Sequence, residues 1–173
     1  LERWDLDVVV ANHNSPSQVV LSGATPAIEQ VEQHLADAGI KHKRLQVATA
    51  FHSPLVSGSS EPFAEFLEGI EFGQADVPVY SNATATPYPQ DPGEARGQLA
   101  EQVARPVRFV EQLEAMYEAG VRTFLEVGPE AILTSLTQRT LGDRARAIHT
   151  DRRGKHGVQS LWGALAQLAV AGV

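Results

Sequence analysis

The patterned part of the chain opens with Asp7-Val8-Val9-Val10-Ala11, passes through the turn-rich Asn12-His13-Asn14-Ser15-Pro16-Ser17-Gln18, and continues as Val19-Val20-Leu21-Ser22-Gly23. Two strands joined by a structured loop are expected, because β-branched residues favour extended backbone while Asn, Ser and Pro interrupt it. Ile28, Val31 and Leu35 then recur at helical spacing behind Thr25, the expected N-cap, and Pro26, with Gly39 as the stop. Residues 43–49 alternate and predict a third strand whose exposed side is basic. In that order the elements suggest a small ferredoxin-like α+β unit, with His52 where it ends.

Further along, residues 62–67 predict a short amphipathic helix and residues 78–82 a strand. Residues 86–97 hold three prolines and two glycines among polar neighbours and predict an exposed loop. Phe109, Val110, Leu113, Met116 and Tyr117 form the apolar stripe of a helix opening near Pro106 and closed by Gly120. The nearly continuous run Thr123-Phe124-Leu125-Glu126-Val127, closed by Gly128-Pro129, predicts a strand buried on both faces of a mostly parallel sheet. A helix through Ile132, Leu133 and Leu136 follows. A last amphipathic helix carries Val158, Leu161, Trp162, Leu165 and Leu168.

Composition narrows the function classes. With 173 residues, 43% hydrophobic and 20% charged, the chain is expected to fold as one domain or as a piece of a larger one. It starts within a few residues of its first strand and without Met, which suggests a fragment. A net charge of -7 repels a phosphate backbone, so nucleic acid is not an expected partner. No cysteine is present, hence no disulfide framework and no thiolate nucleophile. No apolar run reaches the length of a membrane span, and Leu1-Glu2-Arg3-Trp4-Asp5 does not open like a signal peptide, so no membrane contact and a cytoplasmic location are expected.

Six histidines occur, at positions 13, 34, 42, 52, 149 and 156, without an HExxH or paired Cys/His spacing, and no metal ligand set is assigned. His52 differs in setting: it stands beside Phe51 in a stretch, residues 46–60, that contains no Asp, Glu, Lys or Arg. An imidazole, with an ordinary pKa of about 6.5, is the usual general base for a hydroxyl nucleophile. The plainer alternative is a packed histidine satisfied by backbone. No G-x-S-x-G elbow is present, and Ser57-Gly58-Ser59-Ser60 reads as a loop. Asp5, Asp7, Glu126 and Glu130 form no paired-carboxylate signature; Glu126 reads as the buried partner of an arginine or a backbone group. No Walker loop or G-x-G-x-x-G appears.

Several stretches, in order, resemble the malonyl/acyl-CoA to acyl-carrier-protein acyltransferase family. Residues 11–23 resemble its A-N-x-N-x-P-x-Q-x-V-x-S-G stretch, and Ala50-Phe51-His52-Ser53-Pro54-Leu55 its histidine motif. Pro106-Val107-Arg108-Phe109 resembles its P-V-x-F helix start, and Phe124-Leu125-Glu126-Val127-Gly128-Pro129 its E-x-G-P strand end. Residues 151–173 resemble the linker that follows the acyltransferase in multidomain polyketide synthases.

The resemblance implies an α/β fold: the C-terminal part of an α/β-hydrolase-like acyltransferase domain with a small ferredoxin-like subdomain. It places that subdomain at residues 7–60, the last part of the large subdomain at 61–150, and linker and helix at 151–173. It implies serine-histidine chemistry, with malonyl passing from malonyl-CoA through an acyl-serine to the phosphopantetheine thiol of an acyl carrier protein. His52 would be the base, commonly held in this family by a backbone carbonyl. Phe51, just before it, would favour malonyl over methylmalonyl by crowding, although Thr49 stands where the malonyl version often has His; Asn12 and Asn14 would shape the pocket. No bound cofactor is implied beyond these two thiol carriers. The family's G-H-S-x-G serine, oxyanion glutamine and carboxylate-gripping arginine precede the A-N-x-N stretch and do not occur in this sequence. The expected partners are therefore the N-terminal portion of the same domain, the carrier protein and neighbouring synthase domains, and the chain alone is expected to be inactive. Arg144, Arg146, Arg152, Arg153 and Lys155 form a cluster suited to an acidic carrier. A non-catalytic docking module that binds carrier protein, and a hydrolase of misloaded acyl groups, are the alternatives.

Overall fold

The computed structural model describes residues 6–173, so Asp5 lies outside it. The fold is mixed α/β and divides into two compact units, one of residues 6–14 with Gln18–Phe109, the other of Ser15–Ser17 with Val110–Val173.

β1 (Val8–Ser15), which belongs to the first unit as far as Asn14, pairs with β2 (Gln18–Gly23). Their two-residue connection, Pro16-Ser17, suits an antiparallel hairpin. Gly23 closes it because a Cβ there would lie 2.8 Å from Val8 Cγ1 and 2.9 Å from the Asp7 carbonyl. Helix α1 (Thr25–Asp37) packs against β2 and buries Val31. Ala24, not Thr25, is its N-cap, with Pro26 in the first turn.

The strand expected at residues 43–49 does not form, and most of that stretch is exposed. Arg44 instead reaches α1, 3.0 Å from Glu32 and 3.8 Å from Glu29. A strand needs a partner with free backbone groups, and a helix offers only side chains. Residues 78–82 likewise form a single antiparallel bridge, Tyr80 to Pro87, inside a tight loop closed by Ser81 N–H to the Thr86 carbonyl (2.9 Å) and Tyr88 N–H to the Val79 carbonyl (2.7 Å). Prolines at 78, 87 and 89 remove the donors a longer ladder would use.

Helix α2 (Ser60–Glu68) packs on α3 (Pro92–Glu101), burying Leu67 and Ala100. Helix α3 corrects the loop expected over residues 86–97. Its Asp91 N-cap accepts the Glu94 N–H at 2.8 Å and Pro92 occupies the first turn. The Asp-Pro-Gly-Glu run is thus a capped helix start, although its composition resembles a turn.

The second unit contains α4 (Phe109–Glu118) from Val110 onward, β3 (Thr123–Glu126), α5 (Ile132–Leu141), β4 (Arg146–His149) and α6 (Gly157–Ala171). β3 and β4 are parallel, in register from Thr123 opposite Arg146 to Glu126 opposite His149. The pattern gave no sign of β4, which is only four residues long. Helices α5 and α6 pack on this sheet, and Leu113, Leu136, Leu141, Ile148 and Ala164 are its buried apolar residues. The run through β3 is not buried on both faces here: Leu125 is exposed and Val127 is 82% exposed. On α6 the apolar stripe of Val158, Leu161, Trp162 and Leu165 points outward while Ala164 faces inward. Among the described residues no helix is long and apolar enough to cross a membrane.

Candidate active site

The histidine is held by the end of a helix. Residues 50–53 make a tight turn in which the buried Ser53 hydroxyl donates to the Ala50 carbonyl at 2.6 Å, and Pro54 then opens a 3₁₀ turn, Pro54–Ser59. Within the turn His52 adopts the left-handed region, φ 57°. A non-glycine residue there is strained by roughly 1–2 kcal/mol. The strain is held by hydrogen bonds: His52 N–H donates to the Val103 carbonyl at 3.0 Å, and His52 Nδ1 lies 3.1 Å from each of the Gln102 and Arg105 carbonyl oxygens.

Those carbonyls each keep an acceptor site for the ring, for a physical reason. Helix α3 ends at Glu101 with Gln102 as its C-cap, and the last carbonyls of a helix have no partner within it. Arg105 precedes Pro106, which discourages helical backbone at Arg105. A carbonyl can only accept, so Nδ1 must carry the proton and share it between two oxygens. In the neutral ring Nε2 is therefore the nitrogen with the lone pair, and the negative end of α3 faces the ring.

The same segment anchors Asn12. Val107 forms a parallel bridge with Asn12 on the edge of β1: Val107 N–H donates to the Ala11 carbonyl and His13 N–H to the Val107 carbonyl, both at 2.8 Å. This extended backbone is why α4 begins at Phe109, not at Pro106. Arg108 N–H continues the chain of contacts to the Asn82 carbonyl at 2.9 Å. Residues 102–108 thus bind His52, the Asn12 strand and the 81–86 loop. Asn14 lies two residues along β1, on the same face as Asn12, and both are half-buried. Phe51, adjoining the histidine, is 51% exposed.

Sequence reading missed Gln102 and Arg105 because they act through backbone oxygens, which leave no residue-type signature. Their one signal is Pro106, which keeps Arg105 out of helical backbone.

In the second unit Glu126 closes β3 and caps α5. Its carboxylate accepts the Leu133 N–H at 3.2 Å, the Thr134 N–H at 2.7 Å and the Thr134 hydroxyl at 2.7 Å. Burial pushes this carboxyl up, but the bonds from the Thr134 hydroxyl and from the amides of Thr134, Leu133 and Ile132 outweigh it and leave it below the usual carboxylate range. Glu126 is the partner of backbone groups, with no reacting role in view.

The basic cluster is smaller than the sequence suggested. Arg144 is spent on Glu114, to which it makes two hydrogen bonds, one of 2.9 Å, and its guanidinium lies 5.0 Å from the Tyr117 ring centroid. Arg146, Arg152, Arg153 and Lys155 are exposed. An open hollow of about 1020 Å³ in the second unit is lined by Arg122, Gln138, Arg146 and Gln167 among others, and by none of His52, Phe51, Asn12 and Asn14. Among the described residues no group of three or more His, Cys, Asp or Glu side chains is placed to hold a metal ion.

The chain is 37% identical over 140 residues to the malonyl CoA-acyl carrier protein transacylase of Synechocystis sp., a match covering 79% of this chain and 46% of the relative. It superimposes on the crystal structure of the acyltransferase domain from the second module of the salinomycin polyketide synthase with a TM-score of 0.83 and 34% identity, covering 98% of this chain and 40% of that one. It also matches a structure of a holo type II polyketide synthase acyl-carrier protein in complex with its malonyl-transacylase, with a TM-score of 0.81 and 34% identity over 92% of this chain and 50% of that one. The chain therefore spans half or less of the length of each. The model of the acyl transferase domain matches residues 1–173, and the chain belongs to that family.

Proposed function

We propose that this chain supplies the histidine of an acyltransferase that moves malonyl from malonyl-CoA to the phosphopantetheine thiol of an acyl carrier protein. The observation that supports this reading is the double carbonyl hold on His52 Nδ1, which leaves Nε2 as a base without an acidic third residue. The chain has no G-x-S-x-G serine, so in this reading the nucleophile comes from the N-terminal portion of the domain, residues 7–60 belong to a ferredoxin-like small subdomain and residues 61–150 to an α/β-hydrolase-like large one.

In the first half-reaction Nε2 takes the serine proton as Oγ attacks the thioester carbonyl; the C–S bond breaks and the CoA thiolate takes the proton back. In the second, the phosphopantetheine thiol gives its proton to Nε2, its sulfur attacks the acyl-serine, and Oγ leaves with that proton. Carbonyl dipoles facing Nδ1–H favour the positive charge that the ring carries between these events. Phe51 crowds the pocket and favours malonyl over its methyl homologue, an effect of about 1–3 kcal/mol for one methyl, and Asn12 and Asn14 shape the wall.

The direct test is intact-mass labelling with malonyl-CoA of this chain, alone and mixed with a serine-bearing N-terminal fragment, in wild type and His52→Ala. Labelling confined to the mixture and abolished by the substitution is expected. Labelling that survives in His52→Ala sinks the role of His52. No labelling in any mixture, together with binding of holo carrier protein by this chain alone, favours the docking module. Labelling that decays to malonate while holo carrier protein stays unloaded indicates a hydrolase.

A further inference from the structure

The carbonyls that hold His52 are themselves tied together. Gln102 Nε2 donates to the Arg105 carbonyl at 3.3 Å, while Arg105 N–H reaches back to the Gln102 carbonyl at 3.3 Å. The His52 Nδ1–H thus points between two oxygens that each accept a second hydrogen bond from the other's residue. The Gln102 Oε1 atom is buried with no hydrogen-bond partner among the described residues, so the side chain is not placed there to satisfy both of its ends. Its amide orientation is fixed by the Arg105 carbonyl, which can only accept. The Arg105 side chain adds a second brace, its guanidinium donating to Glu101 at 2.9 and 3.2 Å across one helical turn.

We infer that the Gln102 side chain is a positioning residue: its amide holds the Arg105 carbonyl beside His52 and so selects the Nδ1–H tautomer with Nε2 as the base. This rests on the proposed role of His52. Two carbonyls are needed because one oxygen at 3.1 Å leaves the ring free to turn about its Cβ–Cγ bond, whereas two fix its plane. Without the amide, the 102–105 turn keeps one backbone bond between its ends, and the Arg105 carbonyl is free to turn to water. The ring then exchanges toward the Nε2–H form that imidazole prefers in water, in which the base points the wrong way.

The test reads the tautomer, not the reaction. Nitrogen-15 shifts of the His52 ring are measured in this chain above the pH range of imidazole titration, with His52→Ala for assignment, in wild type, Gln102→Leu and Gln102→Glu. Neither replacement can donate at that pH, and Glu keeps the shape of Gln. In wild type the Nδ1–H form is expected to dominate, and in both variants to become the minor form with the backbone amide spectrum retained. A folded variant that keeps the Nδ1–H form overturns the inference while the role of His52 stands. A wild type already in the Nε2–H form removes the role of His52 itself. Loss of the fold in both variants makes Gln102 a packing residue and also overturns the inference.

Discussion

Glu126, the last residue of β3, accepts hydrogen bonds from both the amide and the hydroxyl of Thr134, each at 2.7 Å. A single carboxylate thereby ends a strand and starts the next helix, which explains why a charged residue closes an otherwise apolar run. Its second oxygen takes the Leu133 amide, so both oxygens have donors.

Replacing Glu126 with Gln should cost about 1–2 kcal/mol, the scale of a lost helix cap. An amide has one acceptor oxygen, so its NH₂ must face one of the donors. Thr134→Val should cost about 1 kcal/mol and couple with Glu126→Gln in a double-mutant cycle by urea unfolding.

The acid limb of stability should carry the mark of Glu126. Its folded pKa lies below the ordinary 4.5, so its contribution is complete above that value and is lost as pH falls through the folded value. Wild type should therefore lose more stability than Glu126→Gln between the ordinary value and the folded one. Parallel loss in the two proteins would show that the cap is not ionised.

Glu114 follows the same sign, for a different cause. The hydrogen bond from Arg144 holds its carboxyl down, against a smaller effect of burial. Because both side chains are well exposed, Glu114→Gln should lower stability less than Glu126→Gln does, and the difference from wild type should shrink as salt is added. Thermal unfolding in a salt series measures this.

The left-handed backbone at His52 gives a prediction independent of chemistry. His52→Gly should be more stable than His52→Ala by about 1 kcal/mol, because Gly alone meets φ 57° without strain. An alanine variant as stable as the glycine variant would show that the turn relaxes once the ring is gone.

The cap of α3 is testable in the same way. Asp91→Ala should cost about 1 kcal/mol and Asp91→Asn much less, since Asn still accepts the Glu94 amide. Because α3 ends at the carbonyls that hold His52, the alanine variant should also broaden the His52 ring signals.

Local chemistry made much of this molecule legible in its sequence. The β1–β2 hairpin, helix α1, the apolar stripe of α4 and the strand ending at Glu126 follow from β-branched runs, helical spacing and Gly or Pro stops, all of which act within a few residues. Residues 86–97 misled because Asp-Pro-Gly-Glu serves a capped helix as well as a turn, and the choice depends on whether α2 is there to pack against α3. The exposed run at 43–49 alternated like a strand but met a helix instead of a strand edge. Strand β4, four residues long, exists because β3 offers it a parallel partner after α5.

The candidate site divides along the same line. The sequence by itself determined which side chain could be a base, since His52 alone stands beside an aromatic ring in a stretch without Asp, Glu, Lys or Arg, and it determined that no serine elbow accompanies it. Only the tertiary structure decided what holds that ring: the carbonyls of Gln102 and Arg105, about fifty residues away. Every residue carries the same carbonyl, so no residue type marks the ones left over. Which oxygens keep an acceptor site open is settled only when a helix ends and the chain beyond it pairs with β1 through Val107.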